Sequence, residues 1–268
     1  MSEAAAGSAR IAEAFAAARS EQRPALMPYM MGAFPDRETS IAVGEAYVEA
    51  GADLVELGIP FSDPLADGPV IHDAATRALE AGATLELALE TCSWIAGRVP
   101  VIVMAYANMA IIKGAADFAR ELMDAGAAGV IVPDLPPEEG GEIAAGLRAA
   151  DVALVPLVAP TTPPARRARI CAGAQGFVYV VSDTRTTGER DQLPPGLAEL
   201  VRAVRNDSPV PVAVGFGIGT SAQAAQVGSE ADGVIIGSRL VRAVAEADSP
   251  ANAAEAVAGF IRECRAAL

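Results

Sequence analysis

A single closed (β/α)8 barrel, a TIM-barrel α/β fold with one additional helix ahead of its first strand, is the architecture the sequence predicts. Three observations lead to it. Short apolar runs, eight in all, alternate with Ala-, Leu- and Glu-rich stretches at helical spacing. Most of those runs are continuous, as strands buried on both faces of a helix-covered parallel sheet must be. The chain has 268 residues, and eight β/α units occupy roughly 250 residues in such barrels. A doubly wound open sheet is the main competitor, because alternation by itself does not reveal closure.

In chain order, the segment 11–19 sets Ile11, Phe15 and Ala18 near one helical face and reads as a short amphipathic helix. After Pro24 the strand candidates are 25–31, 53–57, 101–105, 129–132, 153–157, 177–181, 210–214 and 233–236. Between them lie helix candidates such as 41–50, a helix beginning near Val70, 85–96, 118–125, 141–149 and 197–204. Proline-rich patches at 133–137, 160–164 and 194–195 are short and read as loops. Composition shifts little along the chain, so residues 1–268 are expected to form one barrel domain.

The composition narrows the function. With 34 acidic against 20 basic side chains and a net charge of −14, the chain is a poor partner for nucleic acid, whose phosphates attract basic surfaces. A small anionic substrate is still allowed, because it answers to local groups. Hydrophobic residues make up 52% of the chain, enough for a substantial core and too many for a disordered protein. Cys92, Cys171 and Cys264 are widely spaced, no CxxC occurs, and His72 is the only histidine. No zinc or other metal site and no disulfide scaffold is expected from that pattern. The N-terminal stretch is charged throughout and no long uninterrupted apolar run appears, which points to a cytoplasmic protein.

In a parallel α/β protein the active site gathers at the C-terminal ends of the strands. Glu56 ends the second apolar run, where desolvation would raise its pKa toward the range useful for proton transfer. A buried glutamate in a structural ion pair is the plainer alternative. The following loop carries Asp63 and Asp67 between Pro60, Pro64 and Pro69. These aspartates could contact substrate, cap the next helix or face a partner, and for a lone loop aspartate capping is the ordinary role. His72 reads as a surface or capping residue, while Tyr106 and Asn108 end the third strand. Late in the chain, Val214-Gly-Phe-Gly-Ile218 and Ile236-Gly-Ser-Arg239 follow strands seven and eight. Barrels often bind a phosphate there, on loop amides and a helix N-terminus, with Thr187-Gly188 a third contributor. The alternative is that these glycines only make tight turns.

The segment Glu56-Leu-Gly-Ile-Pro-Phe-Ser-Asp-Pro-Leu-Ala-Asp-Gly-Pro69 resembles the signature of the tryptophan synthase alpha chain family. Supporting it, in family order, are Pro28-Tyr29, Met104-Ala-Tyr-Ala-Asn108, Val132-Pro-Asp-Leu-Pro136, Gly176-Phe-Val-Tyr179, Val214-Gly-Phe-Gly-Ile218 and Asp232-Gly-Val-Ile-Ile-Gly-Ser238. The resemblance covers roughly residues 10 to 268. It implies a (β/α)8 barrel that cleaves indole-3-glycerol phosphate to indole and glyceraldehyde 3-phosphate. It further implies a beta chain that uses pyridoxal phosphate to join the indole to serine, in an assembly of two alpha and two beta chains, with no cofactor in the alpha chain. By the same resemblance Glu56 and Asp67 are catalytic, and Tyr29, Tyr106, Thr187 and Phe216 meet the substrate. Gly188, Gly217, Gly237 and Ser238 would hold phosphate, and Asp63, Pro64, Pro133 and Asp134 would face the beta chain.

Two stretches depart from the family pattern. Where the family usually reads Ser-Arg-x-Gly-Val-Thr-Gly, this chain reads Ser182-Asp-Thr-Arg-Thr-Thr-Gly188, so Asp183 reverses a charge and Arg185 replaces a glycine. Met31-Gly-Ala33 stands where Thr-Ala-Gly is common. These changes keep two further readings open: a stand-alone lyase that releases indole, and a weakly catalytic subunit that mainly activates the beta chain.

Overall fold

The computed structural model describes residues 7–181, 195–215 and 217–268. Among the described residues nine parallel strand segments lie in the order β5-β4-β3-β2-β1-β9-β8-β7-β6. They are β1 (Ala25–Met31), β2 (Val55–Gly58), β3 (Val101–Met104), β4 (Gly129–Ile131), β5 (Ala153–Leu154), β6 (Leu157–Val158), β7 (Val178–Val181), β8 (Val212–Gly215) and β9 (Gly233–Ile236). The two ends of that order, β5 and β6, are consecutive in the chain, so the sheet closes on itself and the open-sheet alternative falls. The run expected as one strand over 153–157 is split at Pro156, which has no N–H to donate to a ladder. Pairing resumes at once, since Val155 N–H donates to Val130 O and Pro156 O accepts from Tyr179 N–H. The segments therefore make eight staves. Strand seven starts at Val212 and not at the expected position 210, because prolines at 209 and 211 cannot donate.

Helices α1 (Gly7–Ser20), α2 (Arg37–Glu49), α3 (Pro69–Glu80), α4 (Leu85–Ile95), α5 (Ala107–Lys113) and α6 (Ala115–Asp124) serve the first half. The second half carries α7 (Gly141–Ala149), α8 (Pro164–Ala172), α9 (Leu197–Asp207), α10 (Ser221–Gly228), α11 (Ser238–Glu246) and α12 (Pro250–Ala267). The start of α2 lies four residues before the expected position 41, because the Asp36 carboxylate accepts from Thr39 N–H and fixes the first turn. The long α12 was not among the helices anticipated. It packs against α2, α10 and α11 and closes the outer ring. No helix among the described residues is long and apolar enough to cross a membrane.

Two apolar layers result. One lies between the staves and the helices. The other fills the barrel and contains Ala25, Met27, Leu54, Ile102, Ile131, Ala153, Val155, Phe177, Ala213 and Ile235. Helix α1 closes the floor of the barrel with its buried face of Ile11, Phe15 and Ala18, the three residues its spacing singled out. Phe15 rests on Phe177 with ring centroids 5.7 Å apart. Floor glycines make room, since a Cβ at Gly233 would stand 2.9 Å from Phe15 and one at Gly176 2.9 Å from Ile11.

At the mouth of β1 the departure Met31-Gly-Ala33 has a local account. Ala33 occupies the left-handed region at φ 54°, where glycine would be unstrained, and its N–H is held by Ser40 Oγ at 3.0 Å. Gly32 has no such freedom to lose but no space either, for a Cβ there would meet Ala88 Cβ at 2.7 Å.

Candidate active site

Strand parity decides which side chains enter the barrel mouth. In β2 and the residue before it, Leu54 lies in the interior layer, so Glu56 and Gly58 point inward above it. In β1 Met27 lies inside, so Tyr29 does too, and Phe177, the residue before β7, carries Tyr179 with it. Each tyrosine leans over a glycine on the next stave. A Cβ at Gly58 would be 2.0 Å from Tyr29 Oη, and one at Gly215 would be 2.0 Å from Tyr179 Oη. Bare backbone at both places is what admits two phenols beside one carboxyl.

Glu56 is 1% exposed, and among the described residues neither carboxylate oxygen has a hydrogen-bond partner. The structural ion pair is thereby excluded among the described residues. An unpaired buried carboxylate is costly, so burial, aided by the nearby negative Asp67, pushes the Glu56 carboxyl up to about 8. Asp67 sits on the loop after β2, where burial raises its carboxyl to about 6 against the opposing effects of a Tyr106 hydrogen bond and of His72. Tyr29 and Tyr179 are raised well above the usual phenol range, first by burial and then by the two carboxylates. Near neutral pH the pair is thus one protonated carboxyl at the centre of the barrel and one carboxylate at its rim.

The loop after β2 is tied to the third stave. Tyr106 is buried and stacks on Phe61 at 5.0 Å, and its hydroxyl accepts from Ala66 N–H at 3.1 Å while donating to Asp67. Tyr106 therefore stands behind Asp67 as a prop, and it is not among the residues that wall the cavity. Gly68, and neither loop aspartate, is the N-cap of α3, and it makes no side-chain cap. Of the three roles open to Asp67, capping is removed.

A cavity of about 1040 Å³ opens over these groups. Tyr29, Glu56, Asp67, Gly217, Gly237 and Ser238 line it, as do Pro133 and Asp134. The expected phosphate residues after β8 and β9 thus line the same cavity as Glu56. There α11 begins directly after Gly237 with no side-chain cap, leaving its first amides to an incoming anion. Thr187, Gly188 and Phe216, together with Asp183 and Arg185, lie outside the described residues. Asp63 is exposed beside a buried Pro64, and the Asp134 carboxylate accepts from Ala107 N–H at 2.8 Å at the start of α5. Asn108 and His72 are exposed on α5 and α3. Among the described residues no group of three or more His, Cys, Asp or Glu is placed to hold a metal ion.

The sequence reading did not name Tyr179 as a site residue, nor the apolar wall of Leu65, Ile71, Met104, Val132 and Ile235. A continuous apolar strand does not disclose which of its two residue sets faces inward. Tyr179 had one usable signal, a phenol two residues from the strand's end.

A family model of the tryptophan synthase alpha chain matches residues 15–268. The chain is 44% identical over 259 residues to the tryptophan synthase alpha chain of Roseiflexus sp. (strain RS-1), covering 96% of this chain and 99% of that one. It is 46% identical over 252 residues to the one of Synechococcus sp. (strain CC9902), with 93% and 94% covered. A chain of a Mycobacterium tuberculosis tryptophan synthase structure superimposes with a TM-score of 0.89 at 37% identity, covering 96% of this chain and 97% of that one. The alpha subunit from Legionella pneumophila str. Paris does so with 0.87 at 33% identity, covering 98% of each. The inward glutamate, the propped aspartate and the late-strand glycines thus stand in a barrel shared with these relatives, and the chain belongs to the tryptophan synthase alpha chain family, an enzyme subunit of a lyase.

Proposed function

We propose that the protein cleaves indole-3-glycerol phosphate to indole and glyceraldehyde 3-phosphate, and that its beta-chain partner consumes the indole. The observation that carries the reading is the Glu56 carboxyl, buried in the barrel mouth with no partner and held protonated near neutrality. Retro-aldol cleavage needs a proton on the ring carbon that bears the glycerol chain. It then needs the proton of the adjacent side-chain hydroxyl removed. As that O–H is lost the carbon–carbon bond breaks, and its electron pair returns to the indoleninium ring. Glu56 gives the first proton and, as carboxylate, takes the second. Asp67 accepts a hydrogen bond from the indole N–H and balances the cationic ring, which is why Tyr106 must hold it in place.

Tyr29 walls the indole, Tyr106 acts through Asp67, and Thr187 and Phe216 complete the substrate contacts. Gly188, Gly217, Gly237 and Ser238 bind the phosphate on backbone amides. No metal or organic cofactor is required for these steps. Pyridoxal phosphate belongs to the beta chain, in an α2β2 assembly in the cytoplasm, with all 268 residues of this chain forming one domain. The partner meets the mouth near Asp63, Pro64, Pro133 and Asp134. Leu65, Ile111 and Ile112, at 78%, 68% and 76% exposure, supply apolar anchors there. Indole release by the purified chain, with and without a beta chain, is the test. Slow cleavage that accelerates strongly on adding the partner is expected; no cleavage in either mixture would overturn the assignment.

A further inference from the structure

The cavity does not end at the barrel mouth. From Glu56 it runs over the broken fifth stave at Val155-Pro-Leu157 and continues outside the barrel between α7 and α8. Its volume of about 1040 Å³ stands at the upper limit of single-ligand pockets, which span roughly 300–1,000 Å³. There is room for two occupants. The outer part has a floor of Ala144, Leu154 and Ile170, of which Leu154 and Ile170 belong to the layer between staves and helices. Its rim carries Arg148 from α7 and Arg166 and Arg169 from α8.

The charge of this rim is opposite to that of the molecule. In a chain of net charge −14, the carboxylate that pairs with this rim among the described residues is that of Glu138. It lies 2.9 Å from Arg166 and 4.0 Å from Arg169. Among the described residues the Arg148 guanidinium has no hydrogen-bond or ion-pair partner. At the inner end Gln175 Oε1 accepts from Leu154 N–H at 3.3 Å, which orients its amide and leaves the NH2 group available to donate. An apolar floor under planar cationic forks suits a flat apolar body that carries one carboxylate.

We infer that the outer compartment between α7 and α8 is a second binding site, separate from the barrel mouth, for a small aromatic carboxylate seated on Ala144, Leu154 and Ile170 and held by Arg148 and Arg169. The two sites share a wall, Val155 to Leu157, but no polar group. Occupancy of one therefore does not require the other.

Naphthalene-2-carboxylate is the probe, its binding to the full chain followed by its own fluorescence anisotropy. Saturable one-to-one binding is expected, about tenfold weaker for the uncharged naphthalene-2-carboxamide, which loses the charge-assisted bonds. The double variant Arg148→Ala/Arg169→Ala should also weaken it about tenfold, with cleavage activity unchanged. Ala144→Phe, which fills the floor, should abolish it. Saturating glycerol 3-phosphate, directed to the barrel mouth, should leave it unaltered. Binding that ignores the carboxylate and both variants, or that glycerol 3-phosphate displaces, would overturn the inference. So would the absence of saturable binding to the unmodified chain, a result that leaves the cleavage assay untouched.

Discussion

Glu56 couples the chemistry to the stability of the fold. Its carboxyl ionises near 4.5 in an unfolded chain and near 8 in the folded one. Across that window the unfolded state holds fewer protons, so this group makes the fold less stable as pH rises, by roughly 1.4 kcal/mol per pH unit. Glu56→Gln removes the ionisation. The variant is expected to lose cleavage by about 10²- to 10⁴-fold and to gain in Tm relative to the parent between pH 5 and pH 8. Thermal melts at both pH values check this, and a pH-independent difference would refute the buried acid. Activity should trace a bell. It falls below about 6 as Asp67 takes up a proton and above about 8 as Glu56 loses one. Initial rates from pH 5 to 9.5 read both arms, and Asp67→Asn should abolish the acidic arm along with most activity. Glu56 was legible in the sequence because a carboxylate closes an apolar strand. Its want of a partner was not, since pairing depends on what other staves bring to the same place.

Helix α1 is where a local pattern translated into packing most directly. The spacing of Ile11, Phe15 and Ala18 gave a helix with one apolar face, and that face became the barrel floor. Truncating Phe15 to Ala removes the ring that meets Phe177 and opens a cavity at Gly233. The expected cost is about 3–5 kcal/mol, read as a lower urea midpoint with an unchanged slope. The strands were legible as apolar runs, but their ends were moved by backbone hydrogen bonding. Prolines at 156, 209 and 211 interrupt or delay pairing although they count as neutral in an apolar run. The short α5 was hidden for another reason. Part of its start is fixed by Asp134, 27 residues away, through Ala107 N–H, a contact that no local window contains.

The barrel is also held at its base by one ionic junction. Asp53 accepts from Leu26 N–H at 2.7 Å, from Arg23 at 2.6 and 2.8 Å, and from Arg265 at 3.1 Å. Arg265 also reaches Gly51 O and Glu21, so the junction ties the turn after α1, the first two staves and the end of α12. Asp53→Ala leaves two guanidinium groups and a backbone donor without their acceptor. It should lower the unfolding free energy by about 3 kcal/mol, measured by urea titration, without changing the cavity. Asp53→Asn, which keeps an acceptor for Leu26 N–H, should cost less.

The sequence by itself determined the alternation of strand and helix, the helix under the barrel, and the family signature around Glu56. These are local: each rests on a run of neighbouring residues and their periodicity. Only the tertiary structure decided closure, since β5 and β6 are separated only by Val155 and Pro156 yet stand at opposite ends of the strand order. It alone set Tyr29 and Tyr179 over distant glycines, left Glu56 without a partner, and opened the basic compartment between α7 and α8. Those features depend on which residues far apart in the chain share one small, water-poor space, and burial and charge act through distance in space, with no regard for distance along the chain.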